Sequence, residues 1–146
     1  MAMMTLSYVE VLEKALGRER ALAFLMEAAE DLGKRQGKGI ARLLGVSKAR
    51  SRGGIAAYDR FIEALGLRFH PLKIAPHKTV GAVFSQCPFF EAGLALDLPP
   101  QLVCSRFCNP LSANFISQVD PSLHFAITRP REKGDGSCEV TFFKVA

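Results

Sequence analysis

The length, composition and charge of the chain narrow its class before any motif is considered. It has 146 residues, of which 49% are apolar and 23% charged. That is enough to bury one hydrophobic core and too little for two well-developed domains. No apolar run is long enough to span a bilayer, and the first residues do not have the pattern of a secretory signal. We therefore expect a cytoplasmic protein without membrane contact, in which the four cysteines are free thiols or metal ligands rather than disulfides.

The net charge of +5 is concentrated in one segment. No acid lies between Leu32 and Tyr58, and residues 34–52 are rich in lysine and arginine. Such a segment is typical of a solvated basic face, and the alternative is a contact surface for phosphates, nucleic acid or an acidic partner. Residues 40–47 are similar to the first helix and turn of a helix-turn-helix, although Gly53 and Gly54 interrupt the helix that should follow. A DNA-binding regulator is therefore one alternative function.

Apolar residues at helical spacing predict that residues 1–66 are mainly helical. One stripe covers residues 6–16 and is followed by Gly17, and a second covers residues 21–32. Short helices are predicted over residues 40–44 and 55–65. The glycines between these segments are expected to separate them, namely Gly33, Gly37 and Gly39. The apolar face of residues 6–16 also suggests a homodimer.

The period changes in residues 67–146, which we predict to be a cysteine-containing α+β portion of the same domain. Alternating apolar residues predict strands over residues 67–74 and 80–85. A helix over residues 101–119 should be kinked by Pro110. The alternating segments 123–127 and 138–142, separated by glycine-rich turn residues, predict a β-hairpin. The fold class is therefore α+β, a single domain over residues 1–146 in which N-terminal helices precede an antiparallel sheet packed against helices.

The four cysteines are the main candidates for chemistry. Cys104 and Cys108 lie four residues apart on a predicted helix, which places both sulfurs on one face. Cys87 follows a predicted strand and Cys138 opens the last one, so all four thiols could converge on a metal. Thiolates favour zinc or, second to it, an iron–sulfur centre. The alternatives are plain core packing or a reactive thiol, for which Cys108 with His124 on the strand next to Cys138 is the candidate catalytic pair.

The C-terminal motifs resemble those of a known family. They are Cys87 after a strand, the run P-P-Q-L-V-C at residues 99–104 leading to Cys108, residues 121–125, and the run G-D-G-S-C-E-V-T-F at residues 134–142. This pattern resembles the L-2-amino-thiazoline-4-carboxylic acid hydrolase family and is similar to the related 4-vinyl reductase domains. The likeness covers the C-terminal part of the chain only.

The resemblance implies an α+β ligand-binding fold in which Cys104, Cys108 and Cys138 line the pocket. Independently of the resemblance, Phe107 is an apolar candidate for ligand contact, and the alternative for it is packing in the core. For the hydrolases the resemblance implies opening of a cyclic thiazoline. The family pattern usually has an acid shortly after the second helical cysteine, whereas Asn109 follows Cys108 here. We therefore predict a domain that binds a small molecule or a metal without turnover. The alternative is a hydrolase that opens a small cyclic C–N substrate such as a 2-aminothiazoline-4-carboxylate.

Overall fold

The structure is a computed structural model, and it describes residues 2–45 and 51–144. Three helices come first: α1 (Ala2–Leu16), α2 (Arg18–Leu44) and α3 (Ser51–Ala64). Strands β1 (Arg68–Ala75) and β2 (Lys78–Phe84) follow. Then come α4 (Pro88–Ala95), α5 (Pro100–Val103), a π-helical turn (Cys104–Cys108) and α6 (Asn109–Val119). Strands β3 (Leu123–Arg129) and β4 (Ser137–Lys144) end the chain. Lys48 and Arg50 of the basic segment, and the end of the helix-turn-helix-like stretch, lie outside the described residues.

The four strands form one antiparallel sheet in the order β1-β2-β4-β3. The predicted C-terminal hairpin is confirmed, since β3 pairs with β4, and β4 in turn pairs with β2. Val140 and Phe142 on β4 and Phe125 on β3 are buried on the inner face of the sheet, against the helices. The predicted α+β class, with helices before an antiparallel sheet and packed on it, is therefore confirmed.

Helix α2 runs without interruption through the glycines that were expected to divide it. Gly33 and Gly37 lie one turn apart where α2 packs on α6. A Cβ atom on Gly33 would collide with the carbonyl oxygen of Leu111, and one on Gly37 would lie 2.5 Å from the carbonyl oxygen of Phe115. The prediction that these residues end a helix was wrong, because they let two helix backbones approach closely.

Helix α1 buries the face that was expected to support a homodimer. Leu6 and Val9 are 0% and 2% exposed, within a core that α1 shares with α2, α4 and the π-helical turn. The opposite stripe of the same helix remains in solvent, with Met4, Tyr8 and Val11 each more than 60% exposed. The face over residues 6–16 therefore stabilises the monomer, and any pairing through α1 must use the other stripe.

The predicted helix over residues 101–119 forms, but one π-helical turn interrupts it where Pro110 was expected to kink it. Pro110 has no N–H group, so it cannot donate to the carbonyl group four residues earlier. The preceding N–H of Asn109 donates to the carbonyl of Cys104, five residues back. The side chain of Asn109 accepts a hydrogen bond of 2.9 Å from the backbone N–H of Ile127, beside an irregularity in β3. Asn109 thus connects the helix to the sheet.

Candidate functional site: a thiol-lined cavity

A small cavity of about 60 Å³ lies between helices α3 to α6 and the inner face of the sheet. Most of its wall is aliphatic and aromatic, for example Phe89, Leu111 and Val140. The polar groups on the wall are the four cysteines, Tyr58, Ser112 and Arg131. Among the described residues that line it there is no carboxylate and no histidine. The cavity is therefore an apolar site with a few polar groups, the usual character of a small-molecule pocket.

The structure brings all four predicted cysteines to this cavity. Cys87 immediately precedes α4, Cys104 and Cys108 are the first and last residues of the π-helical turn, and Cys138 lies on β4 opposite Val83. None of them forms a disulfide. Within residues 2–45 and 51–144, no three Cys, His, Asp or Glu side chains are arranged to hold a metal ion. The geometry therefore does not support the metal site predicted for Cys87, Cys104, Cys108 and Cys138, although the four thiols share one cavity.

Cys104 and Cys108 are electrostatically unequal. The Cys108 thiol donates a hydrogen bond to the Cys104 sulfur, and this bond is the main reason why the pKa of Cys104 is lowered to about 7. The backbone N–H and the charge of Arg131 act in the same direction, against the effect of burial. The donated bond and burial together raise the pKa of Cys108 well above its ordinary value. A partly exposed thiolate is therefore available at Cys104, whereas Cys108, the thiol predicted to be catalytic, stays protonated.

The other two thiols of the wall, Cys87 and Cys138, and the phenol of Tyr58 are held neutral. Burial raises the pKa of Cys87, partly offset by the backbone N–H groups of Phe90 and Phe89. Burial likewise raises the pKa of Cys138 to about 11. The pKa of Tyr58 is also raised, chiefly because its phenol is buried. These three groups contribute size and polarity to the cavity at neutral pH, but no negative charge.

Arg131 is a wall residue that the sequence did not reveal. It lies in the connection between β3 and β4 and is only 5% exposed. Its Nη1 donates to the carbonyl of Ser85 at 2.6 Å, and its Nη2 donates to the carbonyl of Val83 at 3.2 Å. Its Cζ lies 5.9 Å from the centre of the Phe90 ring. No motif marks the residue, because its burial depends on how the hairpin connection folds against the end of β2.

Two other predicted site residues lie away from the cavity wall. His124 is exposed on β3, pairs with Phe143 across the strands and stacks on its ring at 5.5 Å. Its neighbours Leu123 and Phe125 point to the buried side, so His124 lies on the opposite face of the sheet from the thiols. Phe107 is buried behind the wall, with its ring 4.8 Å from that of Phe89. The structure does not bring His124 to Cys108, and Phe107 packs in the core.

A second, larger depression of about 700 Å³ lies between α3 and the β1–β2 hairpin. It is open to solvent, and its wall contains no cysteine. Ligand sites bury most of the surface of their ligand. The thiol-lined cavity, although smaller, is therefore the better candidate site. It is more enclosed, and its wall carries four thiols and a buried guanidinium.

No helix in the described part of the chain combines the length and the apolar character needed to cross a membrane.

The fold occurs in solved structures of other proteins. One is the phenol-responsive sensory domain of the transcription activator PoxR, solved with phenol, with a TM-score of 0.63 and 12% identity over 99% of this chain and 74% of that one. Another is trafficking protein particle complex subunit 3 from Naegleria fowleri, covalently bound to palmitic acid, with a TM-score of 0.58 and 12% identity over 99% of this chain and 95% of that one. At this identity the likeness shows the fold alone.

The sequence itself identifies the family. Residues 1–142 match the model of the L-2-amino-thiazoline-4-carboxylic acid hydrolase family, so the chain belongs to that family. The resemblance seen in the C-terminal motifs is confirmed and extends over the N-terminal helices. Among curated proteins, none matches the sequence. The relation to 4-vinyl reductase domains stays a prediction.

Proposed function

We propose that the protein binds a small organic molecule in the thiol-lined cavity without turning it over. The observation that carries this proposal is the wall itself, which is apolar apart from the four thiols, two hydroxyls and one guanidinium. Hydrolysis requires activation of water, usually by a carboxylate, a histidine or a metal. The described wall offers neither residue type. Asn109, which follows Cys108 where the family pattern is expected to have an acid, accepts a hydrogen bond from the backbone N–H of Ile127. The two structural neighbours named above, one with phenol and one with palmitic acid, agree with a fold suited to binding.

The test measures binding and turnover with the same two compounds. The probes are L-2-amino-thiazoline-4-carboxylate, which the family name suggests, and its uncharged 4-carboxamide. We expect at least one of them to stabilise the protein, by about 1.4 kcal/mol at ten times its Kd, while NMR shows the ring intact after long incubation. Cys138→Met should abolish the stabilisation by filling the cavity, whereas Cys138→Ser, which leaves the space free, should retain it. Failure of both probes to stabilise the wild-type protein would refute the proposal.

The alternative function is a hydrolase, and one observation favours it. The lowered pKa of Cys104 provides a nucleophile at neutral pH. In this alternative the Cys104 thiolate attacks the ring carbon that carries the amino group, and the ring C–N bond breaks as its nitrogen takes up a proton. Water then cleaves the new S–C bond, which releases the ring-opened product and regenerates the Cys104 thiol. Ring opening that is lost in Cys104→Ser and retained in Cys108→Ser would establish this activity and reject binding without turnover.

We also propose that the protein forms a homodimer. The stripe formed by Met4, Tyr8 and Val11 supports this assembly, because three large apolar side chains at helical spacing lie in solvent on one face of α1. A second copy of the same helix would cover them symmetrically. A cytoplasmic location remains an expectation from the sequence.

Nucleic-acid binding is the remaining alternative, and the described residues give it little support. The helix predicted over residues 40–44 is the end of the long helix α2 rather than a separate short helix. Lys34, Lys38 and Arg42 are exposed on it, and Arg35 pairs with Asp31 at 2.7 Å. We expect no shift of duplex DNA in a gel even at low salt, and a salt-dependent shift would revive this alternative.

A further inference from the structure

Arg131 is a buried positive charge for which the described residues provide no carboxylate. None of the ion pairs found in residues 2–45 and 51–144 includes it. Two of its five N–H groups donate to the carbonyl groups of Ser85 and Val83. Its Nε is buried and, within that same part of the chain, has no hydrogen-bond partner. The guanidinium is thus held in place, with no carboxylate paired to it among the described residues and with one buried donor that lacks a partner.

Such an arrangement is costly unless an anion completes it. A guanidinium stays protonated under all ordinary conditions, and burying a charge without a counter-charge is strongly unfavourable. Carbonyl oxygens satisfy N–H groups but carry no net charge. The Cys104 thiolate compensates part of the charge, because Arg131 favours its ionised form. The unpartnered Nε still lacks an oxygen acceptor, and Arg131 lines the cavity together with Cys104.

We propose that Arg131 binds the carboxylate of a small organic acid whose apolar body occupies the thiol-lined cavity. This inference rests on the proposed function and adds the residue that holds the acid group of the ligand. The two backbone carbonyls fix the plane of the guanidinium before the ligand arrives, so the ligand does not have to order it. A carboxylate suits the site because its oxygens accept charge-assisted hydrogen bonds from arginine.

The test uses two alkylating reagents that differ in one group. Iodoacetate carries a carboxylate, and iodoacetamide is its uncharged counterpart. Each forms an S–C bond with the Cys104 thiolate and releases iodide. A change in the pKa of Cys104 alters both rates together, so the ratio of the two rates reports anion binding alone. We expect this ratio, followed at Cys104 by peptide mass spectrometry, to exceed that of glutathione in the same buffer by roughly tenfold or more.

Two variants and one competitor complete the experiment. Arg131→Gln should lower the ratio to that of glutathione, and Arg131→Lys, which keeps the charge, should retain part of the preference. Propionate should slow the reaction of iodoacetate with the wild-type protein, and this measurement stands even if Arg131→Gln does not fold. A wild-type ratio equal to that of glutathione, with no effect of propionate, would overturn the inference.

The two ligand probes distinguish a failure of this inference from a failure of the proposed function. If the carboxamide probe stabilises the protein as well as the carboxylate does, the cavity binds ligands but Arg131 does not select acids. If neither probe stabilises it, the proposed function itself fails.

Discussion

Replacing Gly37 by alanine tests whether the contact between α2 and α6 depends on the absence of a side chain. The added Cβ would lie 2.5 Å from the carbonyl oxygen of Phe115 and 2.8 Å from the Cβ of Gln118. Ordinary contacts between such atoms are about 3.5 Å, so the two helices must separate by roughly 1 Å. Since a backbone carbonyl cannot rotate away as a flexible side chain would, we expect an overpacking cost near the upper end of the usual range, about 3 kcal/mol.

Alanine also favours a helix over glycine by about 1 kcal/mol, which leaves a net loss of about 2 kcal/mol in the free energy of unfolding. The matched control is Gly39→Ala on the same helix. Gly39 is exposed, and a Cβ there would meet nothing within 4 Å. The control should therefore be stabilised by about 1 kcal/mol. Urea unfolding followed by circular dichroism measures both values. If the two variants change stability in the same direction, the close approach of the helices is not what requires Gly37.

Three further predictions concern the site and the surface. The rate of Cys104 alkylation by iodoacetamide should rise with pH and reach half its maximum near pH 7, because the pKa of Cys104 is lowered to about 7. Removing the hydrogen-bond donor in Cys108→Ala should move that midpoint to higher pH, and an unchanged midpoint would contradict the pairing. Tyr8→Glu should convert a dimer to a monomer in sedimentation velocity at unchanged stability, and a wild-type monomer would refute the dimer. Asn109→Ala should cost about 1 to 3 kcal/mol of stability, because the N–H of Ile127 loses its acceptor. Asn109→Asp keeps an acceptor and should cost less, so equal losses in urea unfolding would argue against that bond.

The sheet was the part of the fold most accessible from the sequence. Apolar alternation over residues 123–127 and 138–142 predicted the hairpin, because side chains on a strand point alternately to its two faces. The same alternation also argues against His124 as the catalytic partner of Cys108. Leu123 and Phe125 on either side of it are buried, so His124 must point away from the thiols even though its strand neighbours the one that carries Cys138.

The helices were harder to predict from the sequence, because glycine can either end a helix or allow two helices to pack closely. It ends helices at positions such as Gly45, which adopts a positive φ of 56° after the last turn of α2. It also permits close packing, as at Gly33 and Gly37. The local sequence does not distinguish these cases, since the second depends on which helix lies opposite. Arg131 was missed for a related reason: its partners are carbonyl groups of Ser85 and Val83, more than forty residues earlier in the chain.

The size of the cavity has a consequence for how tightly any ligand is held. At about 60 Å³ it is well below the roughly 300 to 1,000 Å³ of typical ligand pockets. A ligand of ordinary size therefore requires a wider conformation, and its apparent affinity falls in proportion to the population of that conformation. The wall of the cavity includes Cys104 and Cys108 of the π-helical turn, and π-helical turns of this kind are frequent at functional sites. Substitutions remote from the wall that favour the wider conformation would then strengthen binding without adding a single contact.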